Sequence, residues 1–530
     1  MRIRLVETKS NSHNVYDHSL LPRLGLPLIG RILTDKGHDV RIYVESIAPV
    51  DWDDLLGADL VGFSTTTATT PPAYEMADRL RELGKAVVFG GAHVTFLPEE
   101  ALEHADYVVR GEGHATIVEL LDALAGDGDL SGIAGLSYHG PDGPLHNALR
   151  GHCSVEEFAA LPWPDTTLIV GHERMQTVPI MTQWGCPFNC NFCSVIKMFG
   201  RRVRARVVED VLDELETVPA GKGVFFYDDN FVVDKRRTKA ILRGMLERGL
   251  NFPWSAQMRA DAVYRNTRTG EWDTELLELM RDSHCVWVYC GFESVNPAAL
   301  EEYNKQQTVK DIADSIEAFH AYNVPVHGMF VLGSDADTKK SIRATVRFAI
   351  KHAIDTVQFL NITPLPGTEF YAKMKAARRI LSFDWSLYDG HHVVTLPAQM
   401  TPYTLQKASL RAMLRFYAPM RAWKKMLENI RRELPFLVGL YLRERKMRIA
   451  LPRVALMSLV PARWLEIPGE LQQALDWLNW LRLRAVFIVP MFRRYAYHHT
   501  RQGMRMPRNR SYIAWLRSLT RSRRRGQEMV

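Results

Sequence analysis

Cys186, Cys190 and Cys193 stand within eight residues of one another, in GlnTrpGlyCysProPheAsnCysAsnPheCys. The spacing is Cys-x3-Cys-x2-Cys, with an aromatic residue directly before the third cysteine. Three thiolates can hold three irons of a cubane, whereas a closed electron-transfer cluster takes four. One iron is then left open to a substrate or cofactor. A structural zinc site would want a fourth ligand, and no Cys or His lies nearby downstream. Three inert buried cysteines are the plainest alternative. Cys153, Cys285 and Cys290 are isolated from this group, and the last two read as strand core. Six cysteines in 530 residues do not look like a disulfide framework; the clustered three point to metal ligation in a reducing compartment.

The elements that would position these thiols form two β/α series. From 178 onward, strands are expected at 178–183, 223–227, 254–258, 286–292, 325–332 and 356–361. Helical stretches separate them at 207–217, 235–248, 274–281, 309–322 and 339–353. Six such units predict a partial (β/α)6 barrel with its chemistry at the C-terminal strand ends, and the cysteines follow its first strand directly. Ahead of it, residues 1–126 alternate β-branched runs (Ile3–Val6, Asp39–Val44, Leu60–Ser64, Ala86–Phe89, Tyr107–Val109) with amphipathic stretches, the rhythm of a parallel doubly wound sheet. Turn-rich sequence at 126–129 and 140–144 predicts a small hairpin and linker, and Pro162 and Pro164 mark entry to the next unit. After Thr401 the strand signals stop and helix-like runs take over. The expected domains are 1–150, 165–400 and 401–530, more than one hydrophobic core usually serves.

The cysteine element and the partial barrel together resemble the radical S-adenosylmethionine superfamily, over about 178–370. The resemblance implies a [4Fe-4S] cluster on Cys186, Cys190 and Cys193. It further implies that the amino and carboxylate groups of S-adenosylmethionine chelate the open iron, and that one electron cleaves the sulfonium to a 5′-deoxyadenosyl radical. PhePheTyrAspAspAsn at 225–230 ends the second strand, where the superfamily binds the methionyl amino group. Tyr227, Asp228 and Asp229 are the candidate acceptors there, although the usual Gly-Gly-Glu is absent. GlyPheGluSer at 291–294 offers Glu293 to the ribose hydroxyls, with Ser294 beside it. Arg259 is positioned to pair with the methionyl carboxylate, and ProLeuProGly at 364–367 resembles the stretch closing the adenine pocket. For each, a loop-edge polar residue satisfying local backbone is the alternative.

In the first series, ProArgLeuGlyLeuProLeuIleGly (22–30), SerThrThrThr (64–67), GlyGlyAlaHis (90–93) and ArgGlyGluGly (110–113) follow successive strands. Those ends form the ligand crevice of a doubly wound sheet. Ser64, Thr65, Gly90, Gly91, His93, Gly111, Glu112 and Gly113 are the candidate contacts, small enough for a large cofactor to approach the backbone. With the barrel behind it, this arrangement resembles the cobalamin-binding class of radical S-adenosylmethionine proteins over about 1–126. The Asp-x-His-x-x-Gly signature for ligating cobalt from below is absent. His93 reads either as a replacement ligand or as a loop histidine bonded to nearby backbone, and the whole unit could be a Rossmann-like module without corrinoid.

Charge is uneven. Residues 401–530 carry 27 Lys+Arg against 7 Asp+Glu, whereas the whole chain is only +7. Trp464, Trp477, Trp480, Phe487, Phe492, Tyr495 and Tyr497 interleave with Arg482, Arg484, Arg493 and Arg494. That mixture suits an interfacial helix against anionic head groups, an RNA groove, or a helical subdomain with solvated arginines. Contact with a membrane or lipid is expected ahead of nucleic acid. The N-terminus lacks a signal-peptide core and no apolar run reaches a bilayer span, so a cytoplasmic protein is expected, peripheral on the inner membrane face. The resemblance implies a flavodoxin- or ferredoxin-type electron donor and a cobalamin-dependent radical reaction, commonly methylation of an unactivated carbon, here of a hydrophobic or natural-product substrate. Cyclisation or oxidation without methyl transfer, and a non-catalytic iron-sulfur or corrinoid sensor, stand as alternatives.

Overall fold

Parallel strands covered on both faces need near-continuous apolar runs, and the first third of the chain supplies five: β1 (Arg2–Glu7), β2 (Asp39–Val44), β3 (Leu60–Ser64), β4 (Ala86–Gly90) and β5 (Tyr107–Val109). The computed structural model describes residues 1–10, 20–126, 128–418 and 507–524. The five strands pair in parallel in the order β2-β1-β3-β4-β5. The order reverses between β1 and β3, so the loops leaving their carboxyl ends diverge and open a crevice there. The predicted hairpin, β6 (Leu136–Gly140) and β7 (Gly143–His146), extends the same sheet antiparallel beyond β5. Separate apolar cores cover its two faces, one around Ile3, Ile42 and Leu120, the other around Phe63, Ala77 and Phe89.

The second unit begins later than the prolines imply. Ile169 and Met175 are buried in the first sheet's core, and Val170 N donates to Ile42 O at 2.9 Å. Residues up to 175 therefore belong to the N-terminal unit, and the barrel starts with β8 (Thr177–Ile180). A two-stranded ribbon follows, β9 (Gln183–Trp184) with β10 (Arg204–Ala205). Next come β11 (Gly223–Phe226), β12 (Trp254–Met258), the hairpin β13 (Tyr264–Asn266) and β14 (Glu271–Trp272), then β15 (Cys285–Glu293), β16 (Val326–Leu332) and β17 (Thr356–Asn361). β8, β11, β12, β15, β16 and β17 lie side by side in chain order, all parallel, the predicted six-unit partial barrel. Its helices are punctuated by side-chain caps: Asp234, Asp273, Thr308 and Thr338 each accept from a backbone N–H of the first turn. Alternate strand residues, among them Val224, Trp254, Ala256 and Val288, build the core beneath these helices.

The boundary at 401 is not structural either. The helix Pro402–Phe416 places Leu405, Ala412 and Phe416 in the barrel's own core, and Tyr417 Oη donates to Val357 O at 2.6 Å. The basic helix Pro507–Arg524 packs Tyr512 and Leu516 against Leu387, Tyr388 and Val394. The aromatic and arginine residues singled out between 464 and 497 lie outside the described residues. Among those described, no helix is long and apolar enough to cross a membrane.

Candidate functional site

The cysteine loop leaves the barrel at the carboxyl end of β8, and its exit is fixed by Asp228 at the end of neighbouring β11. Asp228 Oδ1 accepts from Thr182 N (2.7 Å) and Gln183 N (3.2 Å), and Oδ2 from Thr182 Oγ1 (2.5 Å). The side chain is buried and fully used. Asp228 is thus corrected from an ammonium acceptor to the peg that aims the loop. Further along, Asn191 Nδ2 donates to Glu302 O, Asn304 Nδ2 to Asn189 O, and Phe370 N to Asn191 O. Burial pushes all three thiols up, Cys193 to about 12. Iron must therefore displace protons to bind. A cubane takes each thiolate on its own iron, and the loop brings the three thiols within reach of one another's charge.

Asp229 is the acidic residue left for an ammonium. Its side chain is exposed, with protein crowded around it. Desolvation, then the charge of Asp228, lifts it to about 7. Beside it, Asn230 Oδ1 is buried and unpartnered. Glu293 is buried at the end of β15, where Oε1 accepts from Lys305 Nζ at 2.7 Å. Ser294 Oγ accepts from Asn296 N at 3.0 Å, a local turn bond. Arg259 is tied into the protein through two of its nitrogens: Nη2 donates to Lys305 O and Gln306 O, Nε to Asp261, and its guanidinium lies 3.6 Å over the Phe188 ring of the cysteine loop. It clamps that loop with a cation–π contact, which leaves only Nη1 for a carboxylate. An amino acid ammonium and a ribose hydroxyl thus fit Asp229, Asn230 and Glu293.

At the carboxyl ends of β3 to β5 the backbone is packed for close approach. Thr65 N donates to Gly90 O at 3.0 Å, and Thr65 Oγ1 is buried without a partner. Gly91 has φ 102°, and a Cβ there would lie 2.8 Å from Thr65 N and closer still to its carbonyl oxygen, so only glycine fits. Gly111 (φ 76°) faces open space and its N–H donates to Thr95 Oγ1; Gly113 opens the helix Gly113–Ala125 against Val109. Ser64 contributes its carbonyl, which accepts from Arg23 Nη2 at 2.8 Å. Two expected contacts are corrected. His93 is buried with both nitrogens taken, Nδ1 by Thr67 Oγ1 (3.3 Å) and Nε2 by Glu100 (3.0 Å), partners that are side chains and leave neither nitrogen for cobalt. Glu112 is buried in an ion pair with Arg204 of the ribbon at 2.5 Å and accepts from Cys153 N. The glycine backbone and the unpartnered Thr65 hydroxyl that remain fit the close approach of a corrinoid.

The two sites adjoin. Tyr227 packs with Leu24, Leu28 and Trp184 between the units. Burial lifts its phenol to about 12, and the charges reaching it are Glu7 and Arg23 from one side and Asp229 from the other. Phe96, just past GlyGlyAlaHis, lies against Gly367 of ProLeuProGly so closely that a Cβ there would enter its ring. Glu100 also accepts from Trp385 Nε1 at 2.9 Å. Sequence reasoning passed over Thr182, Lys305 and Trp385, whose partners lie up to 285 residues away and leave no mark on local pattern.

Comparison with known proteins agrees with this geometry. The radical SAM superfamily model matches residues 180–349 and the B12 binding domain model residues 17–121. An uncharacterised methyltransferase of Pyrococcus horikoshii is 31% identical over 414 residues, 75% of this chain and 88% of that protein. Bacteriochlorophyllide d C-12(1)-methyltransferase of Chlorobaculum tepidum is 28% identical over 433 residues, 80% of this chain and 88% of that protein. In fold, the cobalamin-dependent S-adenosylmethionine radical enzyme OxsB, solved with aqua-cobalamin and S-adenosylmethionine bound, superposes with a TM-score of 0.65 at 17% identity over 98% of this chain and 83% of that one.

Proposed function

Because the chain belongs to the cobalamin-binding radical S-adenosylmethionine enzymes, we propose that it methylates an unactivated carbon of an apolar, membrane-partitioned substrate. When bound, the [4Fe-4S] cluster with S-adenosylmethionine supplies radical hydrogen abstraction, and cobalamin supplies a methyl donor. The chain's own part is placement. Asp228 aims the cysteine loop, Asp229 and Glu293 hold the amino acid and ribose ends of S-adenosylmethionine, and the Thr65–Gly91 packing seats the corrinoid. Tyr227 stands where the two meet. That adjacency is the observation which carries the proposal, since hydrogen abstraction and methyl delivery must reach one carbon.

The apolar substrate is supported by the barrel lumen. Phe225, Ser255, Gln257, Trp287, Tyr289 and Met329 lie on the strand face opposite the helix-side core, and none carries a formal charge. An ionic substrate there would lose its hydration without a partner. The basic character of 401–530 supports contact with an anionic membrane face, on the cytoplasmic side where a flavodoxin- or ferredoxin-type donor supplies the electron. The test is anaerobic incubation of the reconstituted protein with methyl-deuterated S-adenosylmethionine, reductant and extracted membrane lipid. The proposal expects 5′-deoxyadenosine together with deuterium in a lipid product. 5′-Deoxyadenosine without deuterated product points to cyclisation or oxidation, and the lasting absence of both refutes catalysis.

A further inference from the structure

One buried cation at the cysteine loop has no part in that account. Lys305 is 6% exposed and donates to Glu293 Oε1. It belongs to a strap, residues 302–306, that grips the loop on both sides of Cys190. On one side, Asn304 Nδ2 donates to Asn189 O at 2.7 Å; on the other, Asn191 donates through Nδ2 to Glu302 O at 2.6 Å and through its backbone N to Tyr303 O at 3.3 Å. Arg259 ties the strap's far end, at Lys305 O and Gln306 O, to the Phe188 ring. Three non-glycine residues here are left-handed: Glu293 (φ 58°), Asn304 (φ 51°) and Gln306 (φ 52°). Such conformations persist only where the surroundings over-determine them, and they cluster at functional sites.

We propose that Lys305 is a positioning residue of the cofactor site: its ammonium turns the free oxygen of Glu293 towards the ribose and holds positive charge beside the Cys190-ligated iron, raising the cluster's reduction potential. The proposal rests on the cluster assignment. Reduction adds one negative charge to the cluster, and a cation in the poorly screened interior favours that state. Removing the cation or its counter-charge must then shift the potential in opposite directions.

The measurement is an EPR-monitored redox titration of full-length, anaerobically reconstituted protein, without S-adenosylmethionine, at matched iron content. Lys305→Gln is expected to lower the midpoint potential, Glu293→Gln to raise it, and Lys305→Arg to leave it at the wild-type value. In a parallel spectral titration with S-adenosylmethionine, Lys305→Gln weakens binding several-fold and Lys305→Arg restores it. Unchanged potentials, or shifts of one sign for both glutamine variants, overturn the proposal. If Lys305→Gln alone does not hold its fold, because Glu293 is left buried and unpaired, the double variant Lys305→Gln/Glu293→Gln is compared with Glu293→Gln. The double must titrate lower; equality overturns the proposal. A wild-type cluster that does not respond to S-adenosylmethionine sinks the cluster assignment itself, a different result from a responsive cluster whose potential ignores Lys305.

Discussion

Two carboxylates one residue apart meet opposite fates at the end of β11. Asp228 accepts three hydrogen bonds from Thr182 and Gln183, and bonds to a charged acceptor contribute about 1.5–3 kcal/mol each. Asp228→Ala is expected to cost at least about 3 kcal/mol in urea unfolding and to lose iron with the misaimed loop. Asp229→Asn should unfold like wild type yet bind S-adenosylmethionine poorly. The pH dependence follows from the raised carboxyl of Asp229. It is neutral below about 7 and ionised above, and only the ionised form attracts an ammonium. Affinity for S-adenosylmethionine should therefore rise as pH climbs through about 7, and titration of Asp229→Asn should show that rise removed. The three thiols were legible from spacing alone because the loop carries them locally. Which of two adjacent acids is the peg was not, since the choice is made by Thr182 on another strand.

At the scale of elements, periodicity foretold the parallel strands of both sheets and the longer helices between the barrel strands, because each buries a face whose repeat the chain spells out; the helix Gly25–Asp35, the ribbon β9–β10 and the hairpin β13–β14 were not foretold. The unit boundaries were less legible. Ile169 and Met175 look like linker until β2 offers them a core, and Tyr417 looks like tail until it bonds Val357. The β3–β4 crevice yields a sharp test: Gly91→Ala drives a Cβ into Thr65 and should abolish retention of the corrinoid absorbance while the cluster still loads. Inside the barrel, burial holds His327 down at about 4 against an ordinary 6.5. The unfolded chain then binds the extra proton first, so stability is full above about 6.5 and is lost as pH falls towards about 4. The shift corresponds to about 3 kcal/mol. Urea melts at pH 7 and pH 5 should show a smaller gap for His327→Gln than for wild type.

For the molecule as a whole, the two cofactor sites are held together by contacts between distant segments: Glu112 with Arg204, Glu100 with Trp385, and Phe96 on Gly367. In sequence Glu112 belongs to the crevice through its place in ArgGlyGluGly after a strand; its ion pair exists only once the ribbon has folded against it. Removing one partner of a buried pair costs about 3–5 kcal/mol, so Glu112→Ala should lower the calorimetric transition and separate the melting of the N-terminal unit from that of the barrel. The loop of Cys186, Cys190 and Cys193 is expected to carry a cubane with a bare iron. EPR of the dithionite-reduced, anaerobically reconstituted protein, recorded before and after adding S-adenosylmethionine, tests it most directly. A four-iron signal whose g-values move on addition is the predicted outcome; zinc in place of iron, or a spectrum indifferent to S-adenosylmethionine, contradicts it.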